Sequence, residues 1–207
     1  MWNLIGIGAW VVLIAYLIFV MMNIRSRHLK MVVMRQKPAR TLMIDALELV
    51  VLAAAAYGMA WVTWLRPVDF TDTSSIAVHY QYDKLIIQPD ASSSYYVTVQ
   101  SGNGKVPVRH FTYWTAGAKT EITSQNADLS TGTNPLTIRA SAYPWQTKRL
   151  AELDRTAEKA WVASLTSTYK PTFLNGLGMH VGHSAERFDL IRVPNDTVIK
   201  VLPLDRN

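Results

Sequence analysis

The chain has 207 residues and no cysteine. Disulfides, thiolate metal sites and cysteine nucleophiles are therefore excluded. It has no acidic residue before Asp45 and no charge of either sign between residues 2 and 22. It has no internal repeat, no low-complexity tract and no nucleophile-elbow motif for serine catalysis. What it also lacks is an evenly spread positive charge. The formal net charge is +6, yet residues 67–207 hold 14 Lys or Arg against 13 Asp or Glu. So nearly neutral a region is not the electrostatic footprint of a nucleic-acid binder, and no nucleic-acid partner is expected.

What is present begins with two long apolar runs, residues 2–22 and 42–65. A spanning helix needs roughly 20 apolar residues at a rise of about 1.5 Å each. The first run meets that length. A cleaved secretory signal would carry its positive charge ahead of the apolar stretch and small residues after it. Here the basic residues follow, and the run ends in Met21, Met22 and Asn23. The second run contains Asp45 and Glu48. Either these form a proton or ion relay, or they lie in the headgroup zone on the first helical turns, near Lys37 and Arg40. The second reading is favoured, because residues 49–65 alone nearly suffice to cross the hydrocarbon core and acids suit a helix N-terminus.

Residues 23–41 read as a short loop bearing Arg25, Arg27, Lys30, Arg35, Lys37 and Arg40. Lys/Arg bias beside spans marks the cytoplasmic side, which places both termini outside, and these six cations are the expected contact with anionic lipid headgroups. Trp2, Trp61 and Trp64 fall near the opposite interface, where indole rings are favoured. Ala54 with Gly58, and Ala56 with Ala60, have the spacing of a close-packing helix face, facing either Gly6 and Gly8 of the first run, a second copy or a partner helix.

The expected fold class is α+β: a transmembrane helical hairpin at 1–66, a polar tether at 67–75, and an extracytoplasmic domain at 76–207 in which antiparallel strands pack on one long helix. Ile76, Val78, Tyr80 and Tyr82 alternate as a half-buried strand, which residues 85–87 could pair with. Residues 95–100 and 105–114 make a hairpin around Asn103-Gly104, with Pro107 at an edge. Further strands are expected at 120–123 and 136–142. Leu150, Leu153, Ala157, Ala160, Trp161 and Leu165 recur at three and four, predicting a helix over 146–168. A closing hairpin joins 188–193 to 197–202 through Pro194-Asn195-Asp196.

His180 and His183, with Glu186 and Asp189 behind them, are the one cluster with metal-ligand chemistry, but the glycines around them match no metal-binding helix pattern. Gly176, Gly178 and Gly182 could free backbone amides for an anion between Lys170 and Arg187, or serve only tight turns. Neither calls for a cofactor or a metal. Phe173, Leu174, Leu177 and Met179 are too apolar for a solvent loop. Either they pack under the helix face of Leu150, Leu153, Trp161 and Leu165, which is favoured, or they form an exposed partner patch. The candidate ligand or partner surface is Phe173, Leu177, Met179, His180, His183, Tyr96 and Trp114. Of the neighbours Tyr95 and Tyr96, one must face outward from a strand.

The segments WNLIGIGAW, RSRHLKM, KPTFLNGLG and LIRVP resemble an uncharacterised family of small two-span envelope proteins of lactic-acid bacteria. The resemblance implies a bacterial plasma membrane and brings no activity or site residue. The expected function is a membrane-anchored, non-catalytic interaction protein whose partner is another membrane protein, a second copy or a cell-wall polymer. The alternative is an envelope enzyme acting on glycan or peptide, recognisable by a deep pocket with converging acids or a histidine–acid pair. The orientation is testable because the chain is free of cysteine: Asn103→Cys should react with an impermeant maleimide on whole cells, and Gln36→Cys only after lysis. The reverse pattern would refute it.

Overall fold

The computed structural model describes residues 1–34, 38–91, 93–102 and 107–202. Arg35, Gln36, Lys37, Asn103 and Gly104, on which parts of the sequence reading fall, lie outside the described residues. The fold is α+β, with two apolar helices first and a sheet-rich region after them. The chain forms two compact units. A helical unit comprises Met1–Ala77 and Thr168–Ala185, and a strand unit comprises Val78–Ser167 and Glu186–Asn207.

In the helical unit, α1 runs from Asn3 to Met34 and α2 from Pro38 to Ala60. Unbranched and small apolar residues without an internal proline sustain α1, and Pro38 heads α2 where its missing N–H leaves no bond unmade. The segment expected as a loop at 23–41 is thus largely helical. At about 1.5 Å per residue α1 is about 48 Å long, well beyond an apolar core of about 30 Å. Stretches Asn3–Lys30 and Ala39–Leu65 are long and apolar enough to cross a membrane. Helix α2 continues as a π-helical turn, Trp61–Leu65, and stops at Arg66, which is extended as a residue before proline must be. Trp10 of α1 meets Trp64 with ring centroids 5.4 Å apart.

The strand unit is built in three layers. The first sheet has the order β1 (Ile76–Lys84), β8 (Trp161–Tyr169), β9 (Ser184–Arg192) and β7 (Ala127–Ser130). The second has the order β10 (Ile199–Leu202), β4 (Val97–Ser101), β5 (Arg109–Thr115) and β6 (Ala118–Thr123). Short strands β2 (Gln88–Pro89) and β3 (Ser94–Tyr95) pair separately. Between the two large sheets lies the core of Val97, Val99, Phe111, Tyr113, Val162, Ile191 and Val193. The third layer, α3 (Thr147–Thr156) with the segment before it, covers the other face of the first sheet. There Tyr143 stacks on Phe188 at 4.3 Å, and Trp145, Leu150 and Leu153 are buried.

Several expectations are corrected. The helix predicted over 146–168 ends at Thr156, and Trp161 onward is strand β8. Glu158 and Lys159 take positive φ, 50° and 61°, a left-handed turn that stops the helix and reverses the chain. Trp161, Ala163, Leu165 and Ser167 then line one face and Val162 the other. Burial on both faces is what made this strand mimic a helical period. Residues 136–142 hold no strand but the 3-10 turn Ala140–Ala142. The closing hairpin does not form: β9 belongs to the first sheet, while β10 pairs with β4 of the second. Nor is the region wholly antiparallel, since β10–β4 and β7–β9 are parallel. The β4–β5 hairpin and strand β6 form as expected.

One ion pair ties α3 to the first sheet. Arg192 is fully buried and donates from Nε to Asp154 Oδ1 at 3.2 Å and from Nη1 to Ser130 Oγ at 3.1 Å. Trp161 Nε1 donates to the same carboxylate at 2.8 Å. Asp154→Ala strands a buried guanidinium and should cost about 3–5 kcal/mol. Equilibrium denaturation followed by tryptophan fluorescence will read this, and adding Arg192→Met should recover part of the loss.

Candidate functional site

Among the described residues the second sheet buries one face and leaves the other open. Alternation decides which residues go where: Val97, Val99, Phe111 and Tyr113 point inward, so their neighbours Thr98, Gln100, His110, Thr112 and Trp114 point out. Register sets Lys200 beside Thr98, and Glu121 and Lys119 beside Thr112 and Trp114. Together with Tyr95 these residues line a shallow open groove of about 340 Å³. Tyr95 meets Trp114 edge-on at 5.9 Å, and the Lys200 ammonium sits 5.2 Å from the Tyr95 ring centre. The charges are paired, Lys200 to Asp90 and Lys119 to Glu121, each at 2.6 Å. The hydrogen bond to Asp90 raises the Lys200 pKa, and the Asp90 and Glu121 carboxyls are held below their ordinary range by their lysine partners. The face therefore offers an aromatic pair flanked by fixed charges and by hydroxyl, amide and imidazole groups.

Of the strand residues expected at a ligand surface, Trp114 lies on this face. Tyr96 packs against the core instead, and its neighbour Tyr95 is the outward ring. His110, Lys119, Glu121 and Lys200 were missed. The polar set His110, Thr112 and Trp114 alternating with Phe111 and Tyr113 was the available signal for β5, but the pairing of Lys200 with β4 has no local signature. Beneath the face, Tyr113 donates to the fully buried Asp189 at 2.9 Å. Burial, reinforced by that carboxylate, pushes the Tyr113 phenol well above its ordinary pKa.

In the helical unit, residues 170–184 hold α4, Phe173–Leu177. The expected partner face on a long helix does not exist, because Trp161 and Leu165 are on a strand. Instead the segment docks on the ends of α1 and α2. Asn3 donates to the Val181 carbonyl and accepts from the Val181 amide, both at 3.1 Å. Gly6 lies under the carbonyls of Leu177 and Gly176, where a Cβ would be 2.8 Å from the Gly176 oxygen and 2.6 Å from the Met179 side chain. A Cβ on Gly176 would be 2.7 Å from the Trp2 carbonyl, and one on Gly178 would be 2.8 Å from that of Val62. Gly8 and Gly58, expected to bring the two helices together, have open space at that position. Asn175 is fully buried, donating to the carbonyls of Ser75 at 2.8 Å and Lys170 at 3.0 Å and accepting from Arg66 at 3.2 Å. Leu177 and Met179 are half-buried, while Phe173 and Leu174 point outward, 60% and 47% exposed.

Of the remaining candidates His183 is exposed, and the others are engaged by neighbours. His180 stacks on Tyr169 at 4.9 Å. Glu186 accepts from Tyr143 and Asp189 from Tyr113 and Arg187. Among the described residues no group of three or more His, Asp or Glu is arranged to hold a metal. The anion cradle is corrected: the amides of Gly176, Gly178 and Gly182 donate to the carbonyls of Thr172, Leu174 and Tyr169. Of the basic set, Arg25, Lys30 and Arg40 are exposed. Arg27 is engaged by Glu48 and, at 2.6 Å, by Asp45, which His28 also approaches at 3.1 Å. The acids of α2 thus find their partners on α1. A second groove of about 460 Å³, lined in part by Arg109, Asp128 and Asp196, is also open. Both oxygens of Asp128 are taken, by Thr137 and the Leu129 amide.

Comparison with known proteins adds little chemistry. A model of an uncharacterised protein family matches residues 1–200. No curated protein and no solved structure matches the chain.

The glycine contacts give a direct test of the docking. Gly6→Val places a branched side chain where carbonyl oxygens already lie, so residues 170–184 should lift from α1. Limited proteolysis of the full chain in detergent should then cut within that segment at least about tenfold faster, as local opening becomes cheap. Gly8→Val, in open space, should leave the rate unchanged.

Proposed function

The chain belongs to this uncharacterised family, whose model spans residues 1–200, and we propose that it is a membrane-anchored interaction protein of the bacterial envelope, without catalytic activity of its own. The family's name points to lactic-acid bacteria. In this reading α1 and α2 span the plasma membrane, their connection faces the cytoplasm, and residues 67–207 lie outside. Apolar side chains exposed along both helices support it: Val11, Val12, Ile18 and Phe19 on α1, and Met43, Leu47, Val50 and Val51 on α2. In water so much exposed hydrocarbon would drive association. The pairing of Arg27 with Asp45 and Glu48 supports the headgroup reading of the two acids, since α1 continues far enough past the apolar core to bring its cations there.

The observation that carries the interaction role is the open face of the second sheet. Tyr95 and Trp114 supply apolar contact area at small entropic cost, and their polar surroundings supply direction. The ligand is an envelope polymer or an extracytoplasmic part of another membrane protein. The test is site-specific photocrosslinking in intact cells. Benzoylphenylalanine replacing Trp114 should give a discrete adduct, and the same group at the exposed Thr133 should not. No adduct from Trp114, or one equally strong from Thr133, overturns the assignment of this face.

A further inference from the structure

We propose that α4 is a third membrane contact, in which Phe173 and Leu174 enter the headgroup–acyl boundary of the bilayer on the side of Trp2, Trp61 and Trp64. The proposal rests on the reading that α1 and α2 span the bilayer.

Three observations lead to it. The first is position. Residues 173–181 are fastened to the first two turns of α1 through Asn3 and Gly6, and to the π-helical turn through Gly178 and the Val62 carbonyl. These contacts are backbone-close, so α4 shares the depth of Trp2 and Val62 to within a few ångströms. Trp2, Trp61, Trp64 and Leu65 are exposed there at 43%, 44%, 69% and 60%, and indole rings at the ends of apolar helices belong to the interface of a bilayer.

The second is that α4 is inside out for a helix in water. Its polar residue Asn175 is fully buried, with every bond satisfied by Ser75, Lys170 and Arg66. Two of its three large apolar residues, Phe173 and Leu174, point away from the protein, while Leu177 is half-buried. A surface helix in water shows the opposite distribution. The inversion is what an element lying in the interface plane requires, apolar face toward the acyl chains.

The third is the company it keeps. Arg66 and Lys170 flank α4, and no acid lies between Lys170 and Ser184. Cations beside an apolar contact suit a headgroup layer containing anionic lipid. The occupant is therefore lipid and not a second protein surface.

The absence of cysteine makes the test clean. Single cysteines at Phe173, Leu174, Val12 and Thr133, all exposed positions, are labelled with the environment-sensitive dye NBD. The full chain is reconstituted in phosphatidylglycerol-containing vesicles with doxyl groups placed either near the headgroup or deep in the acyl chain. Labels at Phe173 and Leu174 should emit to the blue and be quenched by the shallow doxyl at least about twofold more than the label at Thr133, matching a side chain a few ångströms below the headgroups. The label at Val12 should be quenched by the deep doxyl. If Val12 is quenched while Phe173 and Leu174 emit as in water, the proposal fails and the spanning reading stands. If Phe173 and Leu174 emit to the blue without quenching, protein covers α4 and the proposal fails again. If Val12 itself is unquenched, the spanning reading falls and takes this one with it.

Discussion

The close approach of the α1 N-terminus to residues 173–181 is the constraint on which the helical unit depends. Asn3 and Val181 are 178 positions apart in the chain, yet the Asn3 side-chain amide donates to the Val181 carbonyl and accepts from the Val181 amide. Such a contact requires that nothing stand between the two backbones, and Gly6, Gly176 and Gly178 meet that requirement by having no side chain. The bonds are worth about 0.5–1.5 kcal/mol each. Their larger consequence is to close a long stretch of chain back onto the apolar helices, so that α4 inherits its level from α1. The buried Asn175 then becomes intelligible: with Phe173 and Leu174 turned outward, only Leu177 is left as a large apolar side chain for the inner side of α4, and beside it an amide satisfies the Ser75 and Lys170 carbonyls.

In the strand unit, burial of both faces of β8 and β9 plays the corresponding part. Val162, Ile191 and Val193 face the second sheet, while Trp161, Leu165 and Phe188 face α3 and the segment around Trp145. A sheet covered on both sides uses its polar residues sparingly and pairs them, as Arg192 with Asp154 and Asp189 with Tyr113. Among the described residues the second sheet is covered on one side only. Its free face is where aromatic, imidazole and charged side chains such as Tyr95, Trp114, His110 and Lys200 can be displayed without cost to the core.

Much of the architecture was legible in the sequence because it follows from local pattern. Two long apolar runs, the first without any charge, announce two helices of that kind, whatever follows. Alternation around residues 95–114 announces the β4–β5 hairpin and a short strand at 120–123, since period two and short turns act between near neighbours. The candidate surface was half legible for the same reason: an adjacent Tyr95 and Tyr96 must face opposite ways on a strand, but which one meets the core depends on the sheet that packs behind them. Of the apolar residues after the helix, the sequence showed that Leu177 and Met179 needed company and not whose.

The boundary between the two kinds of information is physical. Composition, charge and period are properties of a few consecutive residues, and they determined the apolar helices, the basic character of the stretch between the apolar runs, the near-neutral remainder and the absence of thiol chemistry. Burial against a distant partner is a property of the folded chain alone. Tertiary structure decided that Trp161 begins a strand, because a strand buried on two faces and a helix buried on one place apolar residues at overlapping positions. It decided that β10 lies parallel to β4, since no residue of 199–202 names its neighbour. It also decided that residues 173–181 belong to the ends of α1 and α2, because a glycine's lack of a Cβ becomes an interaction only when another backbone arrives to use the space.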